Sequence, residues 1–527
     1  MDAGSEWHPS QDRMCVISDR FVREVRRWDR LGAGDLIDLP GNLPGESIKM
    51  DAMLKRFSEQ APVAVMARLG LQRAIGADWV NQVFEEHSET QYTRELLFST
   101  VVELMSMVAL GLRRSLHAAA QKMTGLPVSL TALYDKVNRV EPNVVRALVS
   151  GSAERLAPVM TPLRRGVAPW LPGWRVRIVD GNHLPASEKR LSPLRGFRGA
   201  ALPGHSLVVF DPDAGLVVDM VPCEDGHASE RGLLAAALAT ATSGEVWIGD
   251  RHFCTAPAIR LATARGAAVL FREHGAHPNP TPTGPRRKVG RVATGVVYEE
   301  PVELAAKAGE PALALRRIEV VLETPTTDGD TVIRLLTTLP VAIDACTVAQ
   351  LYRGRWSIEG LFGRLEAALN SEVRTLGHPR AALLAFGAAV VAYNVLAVIE
   401  AAVAAAHDLE AAGLQVSTFY VADDVRTDYR GMKIAIGDAT WQAFDALSPA
   451  RLARTLLAIA VHLDPRTIRK HPRGPKPRAK KGYAPRAQVQ RHVATAKVLR
   501  DGAPWRRRGR IRGSGDDPIF SLRFSNG

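Results

Sequence analysis

Apolar positions recur at helical spacing through the first third of the chain, as in MLKRFSEQAPVAVMARLGLQRAI and RELLFSTVVELMSMVALGL, so residues 1–165 are expected to form an all-helical region. Within it, SLHAAAQKMTGLPVSLTALYDKVNRV reads as helix, tight turn, helix. Gly125 and Pro127 make the turn, and Ser129 stands where it would cap the second helix. The arrangement suits DNA recognition and plain helix packing equally.

The pattern changes at Trp170. WRVRIVDGNHL, the two halves of HSLVVFDPDAGLVVDMVPC, GEVWIGDRHF and AAVLFREHG are short β-like runs. ASERGLLAAALATA and TAPAIRLATARG between them are helical. The order β, β, β, α, β, α, β implies an α/β fold, a mixed sheet with helices on its faces, over residues 170–274. The Pro-rich HPNPTPTGPRRK then opens a β-rich insert, 275–344, with three runs, VGRVATGVVYEE, ALALRRIEVVLE and TVIRLLTTLP. Residues 345–463 return to helix. YRGRWSIEGLFGRLEAAL is expected to be a single amphipathic helix, with Leu351, Ile358, Phe362, Leu365 and Leu369 on its buried stripe and Tyr352, Arg355, Glu359 and Glu366 along the margin. Ala381 to Ile399 is long enough to cross a bilayer and has one strongly polar side chain, Asn394; a buried core helix is the simpler reading.

Composition adds three constraints. The 527 residues exceed the roughly 250–300 that one core usually serves, so several domains are expected. Cys15, Cys223, Cys254 and Cys346 form no CxxC pair or close Cys/His cluster, which argues against a disulfide framework or structural zinc. With no basic and apolar leader pattern at the start, a cytoplasmic protein is expected. The net charge of +13 is concentrated: Arg466 to Arg512 carries 17 Lys and Arg against one acid, Asp501, a net +16 that leaves the remainder at −3. Residues 464–527, with Lys480, Lys481, Arg506, Arg507 and Arg508, therefore read as a flexible tail that binds a polyanion, since neutralising phosphates releases counterions.

Three acids stand where they could do chemistry. Asp180 follows VRIV and Asp250 follows VWIG, each the first charged residue after a buried-looking strand; the first and fourth strands of such a sheet lie side by side. Glu359, on the margin of its helix, would be aimed at the same strand ends. Three convergent carboxylates suit Mg²⁺, a hard ion held by a few carboxylates plus substrate phosphate, and two such ions serve an in-line displacement at phosphorus. With a phosphate-binding tail, the substrate would be DNA or RNA.

These blocks resemble a known family. DGNHL around Asp180, GDRHFC around Asp250, FREH with Arg272, and the spacing Tyr352-x2-Arg355-x3-Glu359 are similar to bacterial insertion-sequence transposases of the DDE superfamily, in the branch with a Tyr-x2-Arg-x3-Glu-x6-Lys signature. The resemblance spans about Trp170 to Asn394. It implies an RNase H-like core interrupted by the insert, and a cut-and-paste DNA transposase that frees 3′-hydroxyls at element ends and joins them to target DNA. It further implies two Mg²⁺ ions, with Mn²⁺ able to substitute, held by Asp180 with Glu359 and by Asp180 with Asp250. Tyr352 and Arg355 would contact phosphate near the cleaved end, with Trp356, Arg364 and Arg272 as further DNA-binding candidates. The partners implied are double-stranded terminal inverted repeats, target DNA and a second copy of the chain, with no membrane, in a bacterial cytoplasm at the nucleoid. In relatives the insert can hold a flipped base; Tyr298 is the only aromatic residue in this one. Two positions depart from the family: its signature lysine falls on Glu366, and Gly181, Asn182 and His183 stand where a Thr or Ser usually follows the first Asp. A structure-selective nuclease and a non-catalytic DNA-binding protein are the alternatives. The second has no need of three carboxylates that repel phosphate.

Overall fold

The computed structural model describes residues 39–40, 47–48, 52–184 and 204–471, apart from 227, 276, 308, 327–328, 374 and 410. Cys15 and the tail residues Lys480, Lys481, Arg506, Arg507 and Arg508 lie outside the described residues.

After a two-residue ladder between Leu39–Pro40 and Ser47–Ile48, the chain runs through seven helices: α1 (Ala52–Gln60), α2 (Pro62–Ala74), α3 (Ala77–His87), α4 (Phe98–Ala109), α5 (Leu116–Ala120), α6 (Leu130–Val137) and α7 (Pro142–Leu163). The turn expected between α5 and α6 is present. Gly125 takes a positive φ, and the Ser129 hydroxyl accepts a hydrogen bond from the Ala132 amide, capping α6.

The catalytic-looking half follows in the expected order: β1 (Arg175–His183), β2 (His205–Asp211), β3 (Leu216–Cys223), α8 (Glu230–Leu238), β4 (Glu245–Gly249), α9 (Ala256–Ala264) and β5 (Ala268–Arg272). The DPDAG turn between β2 and β3 is closed by Asp211, whose carboxylate accepts from the Ala214 amide at 2.8 Å. The sheet order is β3-β2-β1-β4-β5. β1, β4 and β5 run parallel, while β2 and β3 are antiparallel to their neighbours. That order and polarity make this an RNase H-like mixed sheet.

The insert supplies β6 (Thr281–Pro282), β7 (Arg287–Val292), β8 (Gly295–Leu304), β9 (Leu313–Leu322) and β10 (Val332–Thr337), and it extends the same sheet because β10 pairs antiparallel with β5. VGRVATGVVYEE is not one strand. It folds back at Ala293 and Thr294 into the β7–β8 hairpin, whose β8 then pairs along its whole length with β9. A β-like run of twelve residues without a Pro or Asn hides such a turn.

Alternation along the strands divides the core in two. Val176, Ile178, Val208, Val246, Ile248 and Leu270 face the N-terminal helices and α12 (Pro379–Ala406). Val179, Leu207, Val209, Trp247, Val269 and Phe271 face α8 and α9. α12 is the one described helix long and apolar enough to cross a membrane, and its apolar window is entirely buried inside the protein. The helices α13 (Thr418–Ala435) and α15 (Pro449–Ala460) pack against it, and α14 (Asp438–Gln442) and α16 (Pro465–Ile468), the latter against α13, complete the described chain.

The stretch from Tyr352 differs from the single helix expected. α10 (Ala345–Arg353), capped by the Asp344 carboxylate on the Thr347 amide, gives way to a 3₁₀ turn at Gly354–Trp356, and α11 (Ser357–Ala368) begins anew. The tighter turn rotates the following residues relative to a continuous 3.6-residue repeat. Tyr352 and Arg355 are therefore buried, Phe362 is only half-buried, and Leu361 takes a core position. Close approach explains the glycine at the break: a side chain at Gly354 would put its first carbon 2.2 Å from the ring of Trp170.

Candidate active site

Asp180 lies on β1 in alternation with Val176 and Ile178, so it points to the same side of the sheet as they do. β1 and β4 pair in parallel with Ile178 opposite Ile248. Two residues further on stand Asp180, still on β1, and Asp250, the first residue past β4, close enough that the charge of Asp250 acts on Asp180. The turn after β4 holds Asp250 in place, one of its carboxylate oxygens accepting from the His252 amide at 2.7 Å. Glu359 lies in the first turn of α11, which packs against β1 on the same face.

Arg355 joins two of these acids. Its Nη1 donates to Asp180 Oδ2 at 3.0 Å and its Nη2 to Glu359 Oε1 at 2.8 Å. Only 7% of the residue is exposed. Burial opposes the charge on Arg355, but Tyr352, Asp180 and Glu359 outweigh it and raise the guanidinium's affinity for its proton. The Arg355 Nε is buried without a hydrogen-bond partner. Burial pushes the Asp180 carboxyl up to about 6, with Arg355 pulling it down and Asp250 and Glu230 pushing it further up.

That shift sets a pH dependence in the ion-free protein. The folded-state value of about 6 lies above the ordinary 3.8, so the contribution of Asp180 to stability is complete below about pH 4 and is lost as pH rises through 6. Denaturant midpoints measured in EDTA across that window will fall more steeply for wild type than for Asp180→Asn.

The remaining candidates separate into two groups. Tyr352 is brought in: it is buried beside Arg355 and Arg272, and burial pushes its phenol up to about 12, which keeps it a neutral donor. Arg272, at the end of β5, is bound to Asp330 of the insert at 2.7 Å. Trp356 is 64% exposed next to the site, with the Arg355 guanidinium 5.5 Å from its ring centre. Arg364 turns away: its Nη2 donates to the Tyr393 hydroxyl on α12 at 3.1 Å, while Glu366 faces solvent. In the insert, Tyr298 has the Arg286 guanidinium stacked 3.5 Å from its ring centre.

Sequence reasoning missed Glu230, at the start of α8. Its carboxylate lies against Gly181, where a β-carbon would stand 2.1 Å from Glu230 Oε1, and pairs with His183 Nε2 at 3.3 Å. The departure at Gly181 was the available signal, since a Thr or Ser there would displace this acid. His183 in turn lies beside the buried His205, 5.4 Å between ring centres.

The donor chemistry suits a hard divalent ion: carboxylate oxygens from adjacent strand ends, one of them pushed up to about 6 chiefly by burial. Among the described residues, however, no three His, Cys, Asp or Glu side chains stand close enough together to grip an ion as they are. Between Asp180 and Glu359 the positive charge is that of Arg355.

Comparison with known proteins bears on the same region. Residues 172–395 match the family model described as transposase DDE domain. No curated protein matches the chain. Among solved structures, the chain is similar to a piggyBac transposase synaptic complex with hairpin DNA, at 12% identity and a TM-score of 0.35, covering 74% of this chain and 84% of that one. The resemblance carried by DGNHL, GDRHFC and the Tyr-Arg-Glu spacing is thus matched by an independent family model for the transposase DDE domain, whose span of residues 172–395 contains all three acids.

Proposed function

We propose that the protein is a DNA transposase that hydrolyses the ends of a mobile element and joins the freed 3′-hydroxyls to target DNA by transesterification, with Asp180, Asp250 and Glu359 as its catalytic carboxylates. The observation that carries this reading is that Asp180 and Asp250 stand two residues past the last paired residues of the adjacent strands β1 and β4, close enough for the charge of Asp250 to act on Asp180, with Glu359 tied to Asp180 through Arg355. Asp180 with Asp250, and Asp180 with Glu359, would hold two Mg²⁺ ions, or Mn²⁺ in their place. Bound there, such ions supply charge neutralisation and activation of the attacking oxygen in an in-line displacement at phosphorus.

The protein's own groups do the rest. Arg355 offers two N–H donors on one fork, a geometry that matches a phosphate as well as a carboxylate. Tyr352, kept neutral by burial, adds a hydroxyl donor beside it. Trp356 presents an exposed indole on which an unpaired base of the cut end can stack. Arg272 braces the strand end against the insert through Asp330. The tail with Lys480, Lys481, Arg506, Arg507 and Arg508 supplies sequence-independent affinity for phosphate, the N-terminal region, residues 1–165, binds DNA, and two copies pair the element ends, all on DNA at the bacterial nucleoid. Arg364 has its guanidinium committed to Tyr393, so it does not take the place of the lysine that Glu366 replaces.

Strand transfer decides between this reading and a structure-selective nuclease on the same fold. Labelled duplex carrying the DNA that flanks the gene is incubated with Mg²⁺ and a supercoiled target plasmid. A transposase gives covalent joining of the 3′ end to the plasmid, whereas a nuclease gives cut ends alone.

A further inference from the structure

We infer that Arg355 is a place-holder for a divalent ion: before DNA arrives its guanidinium spans Asp180 and Glu359, and it must release them for an ion to bind, so that ion loading and DNA loading are coupled. The inference rests on the reading of these acids as a metal site and adds to it an order of events.

Three features support it. First, the guanidinium contacts one oxygen of each acid, at 3.0 and 2.8 Å, which is the bridging position that the proposed function assigns to an ion shared by Asp180 and Glu359. A cation bound to that same pair of oxygens competes with it. Second, the arrangement is incompletely satisfied. Arg355 is buried, yet its Nε has no hydrogen-bond partner, so the guanidinium is held by the two carboxylates and the neighbouring Tyr352 phenol with one donor unsatisfied. An unpaired buried donor lowers the cost of letting go. Third, Arg355 sits in the 3₁₀ turn between α10 and α11, a break of the kind that marks hinges, while the exposed Trp356 beside it opens toward solvent. A substrate phosphate offers the same fork of donors a new anionic partner. Phosphate draws Arg355 off the carboxylates, and the vacated oxygens accept the ion. By thermodynamic reciprocity, the ion then strengthens DNA binding by the same factor.

The test is Mn²⁺ binding to the full-length protein, followed by titration calorimetry and by the loss of the free-Mn²⁺ electron paramagnetic resonance signal, with and without a short duplex of the flanking DNA. Without DNA, Arg355→Gln is expected to bind Mn²⁺ roughly tenfold or more tightly than wild type, a difference of about 1.4 kcal/mol. Arg355→Lys, which keeps the charge but cannot span both acids, falls between them. Adding duplex raises the affinity of wild type toward that of Arg355→Gln and leaves the variant nearly unchanged. If Arg355→Gln does not fold, Arg355→Lys still has to bind more tightly than wild type.

The failures are distinguishable. Equal Mn²⁺ affinity for wild type and both arginine variants, with binding lost in Asp250→Asn, leaves the metal site standing and overturns the place-holder. No Mn²⁺ bound by any form, with or without DNA, overturns the metal site and the place-holder together.

Discussion

Glu359→Gln and Asp180→Asn are each expected to cut end cleavage and strand transfer by about 10³-fold or more, the several kcal/mol that a bound ion supplies to a developing charge. Binding of the same duplex is expected to persist. Both substitutions keep the size of the side chain and one oxygen, and both leave Arg355 one of its two carboxylates, so the turn at Gly354–Trp356 retains an anchor. The two variants will differ in stability. Asp180 is the more buried acid and the one whose carboxyl is pushed up, so making it neutral relieves a cost at neutral pH, whereas Glu359 is well exposed and its neutralisation changes little. Gel-based cleavage in Mg²⁺, paired with filter binding in EDTA, measures both effects. Loss of binding in parallel with cutting would assign these acids to the architecture of the site and not to its chemistry.

Asn394→Leu carries the largest expected effect on stability. Asn394 lies fully buried in the middle of α12, where its side chain makes a two-way clasp with the edge strand β3, accepting from the Val217 amide at 2.8 Å and donating to the Val217 carbonyl at 2.9 Å. β3 is the end strand of the sheet, so this amide and carbonyl face the helix and not another strand. Leucine fits the volume and suits a helix, yet it strands both backbone groups away from water, at about 1–3 kcal/mol each. A loss of about 2–6 kcal/mol follows, read as a lowered urea midpoint at unchanged slope. Asn394→Ala is expected to lose at least as much, because it adds a cavity.

The same residue shows what was legible in the sequence. A nineteen-residue apolar run with a single Asn reads as either a membrane span or a core helix, and the choice of a core helix is borne out by its complete burial. The five strands and two helices of residues 170–274 were legible because each has a short apolar run bounded by Gly, Pro or Asp, and parallel strands buried on both sides leave little ambiguity of period. Asp180 and Asp250 were legible for the same reason, as the first charges after those runs. Three things were not. The β7–β8 hairpin lacked a turn residue strong enough to interrupt its β-like pattern. The break between α10 and α11 left no mark because Gly354 is common in helix-like text, and its reason, the ring of Trp170, lies almost two hundred residues away in the chain. The embrace of Asp180 and Glu359 by Arg355 followed from that break, since a continuous helix would have left Arg355 on the margin and half in solvent. Glu230 was hidden differently: nothing near it in the chain distinguishes it, and only its contact with Gly181 brings it to the site.

The most direct test of the central claim is to locate the ions themselves. Crystals of the protein with cleaved end duplex, grown with Mn²⁺, give anomalous difference density that marks each ion. One peak is expected between Asp180 and Asp250 and one between Asp180 and Glu359, with Arg355 turned from these acids to a DNA phosphate. Duplex bound in the site with no peak at these carboxylates, and Arg355 still bridging Asp180 and Glu359, would contradict the claim.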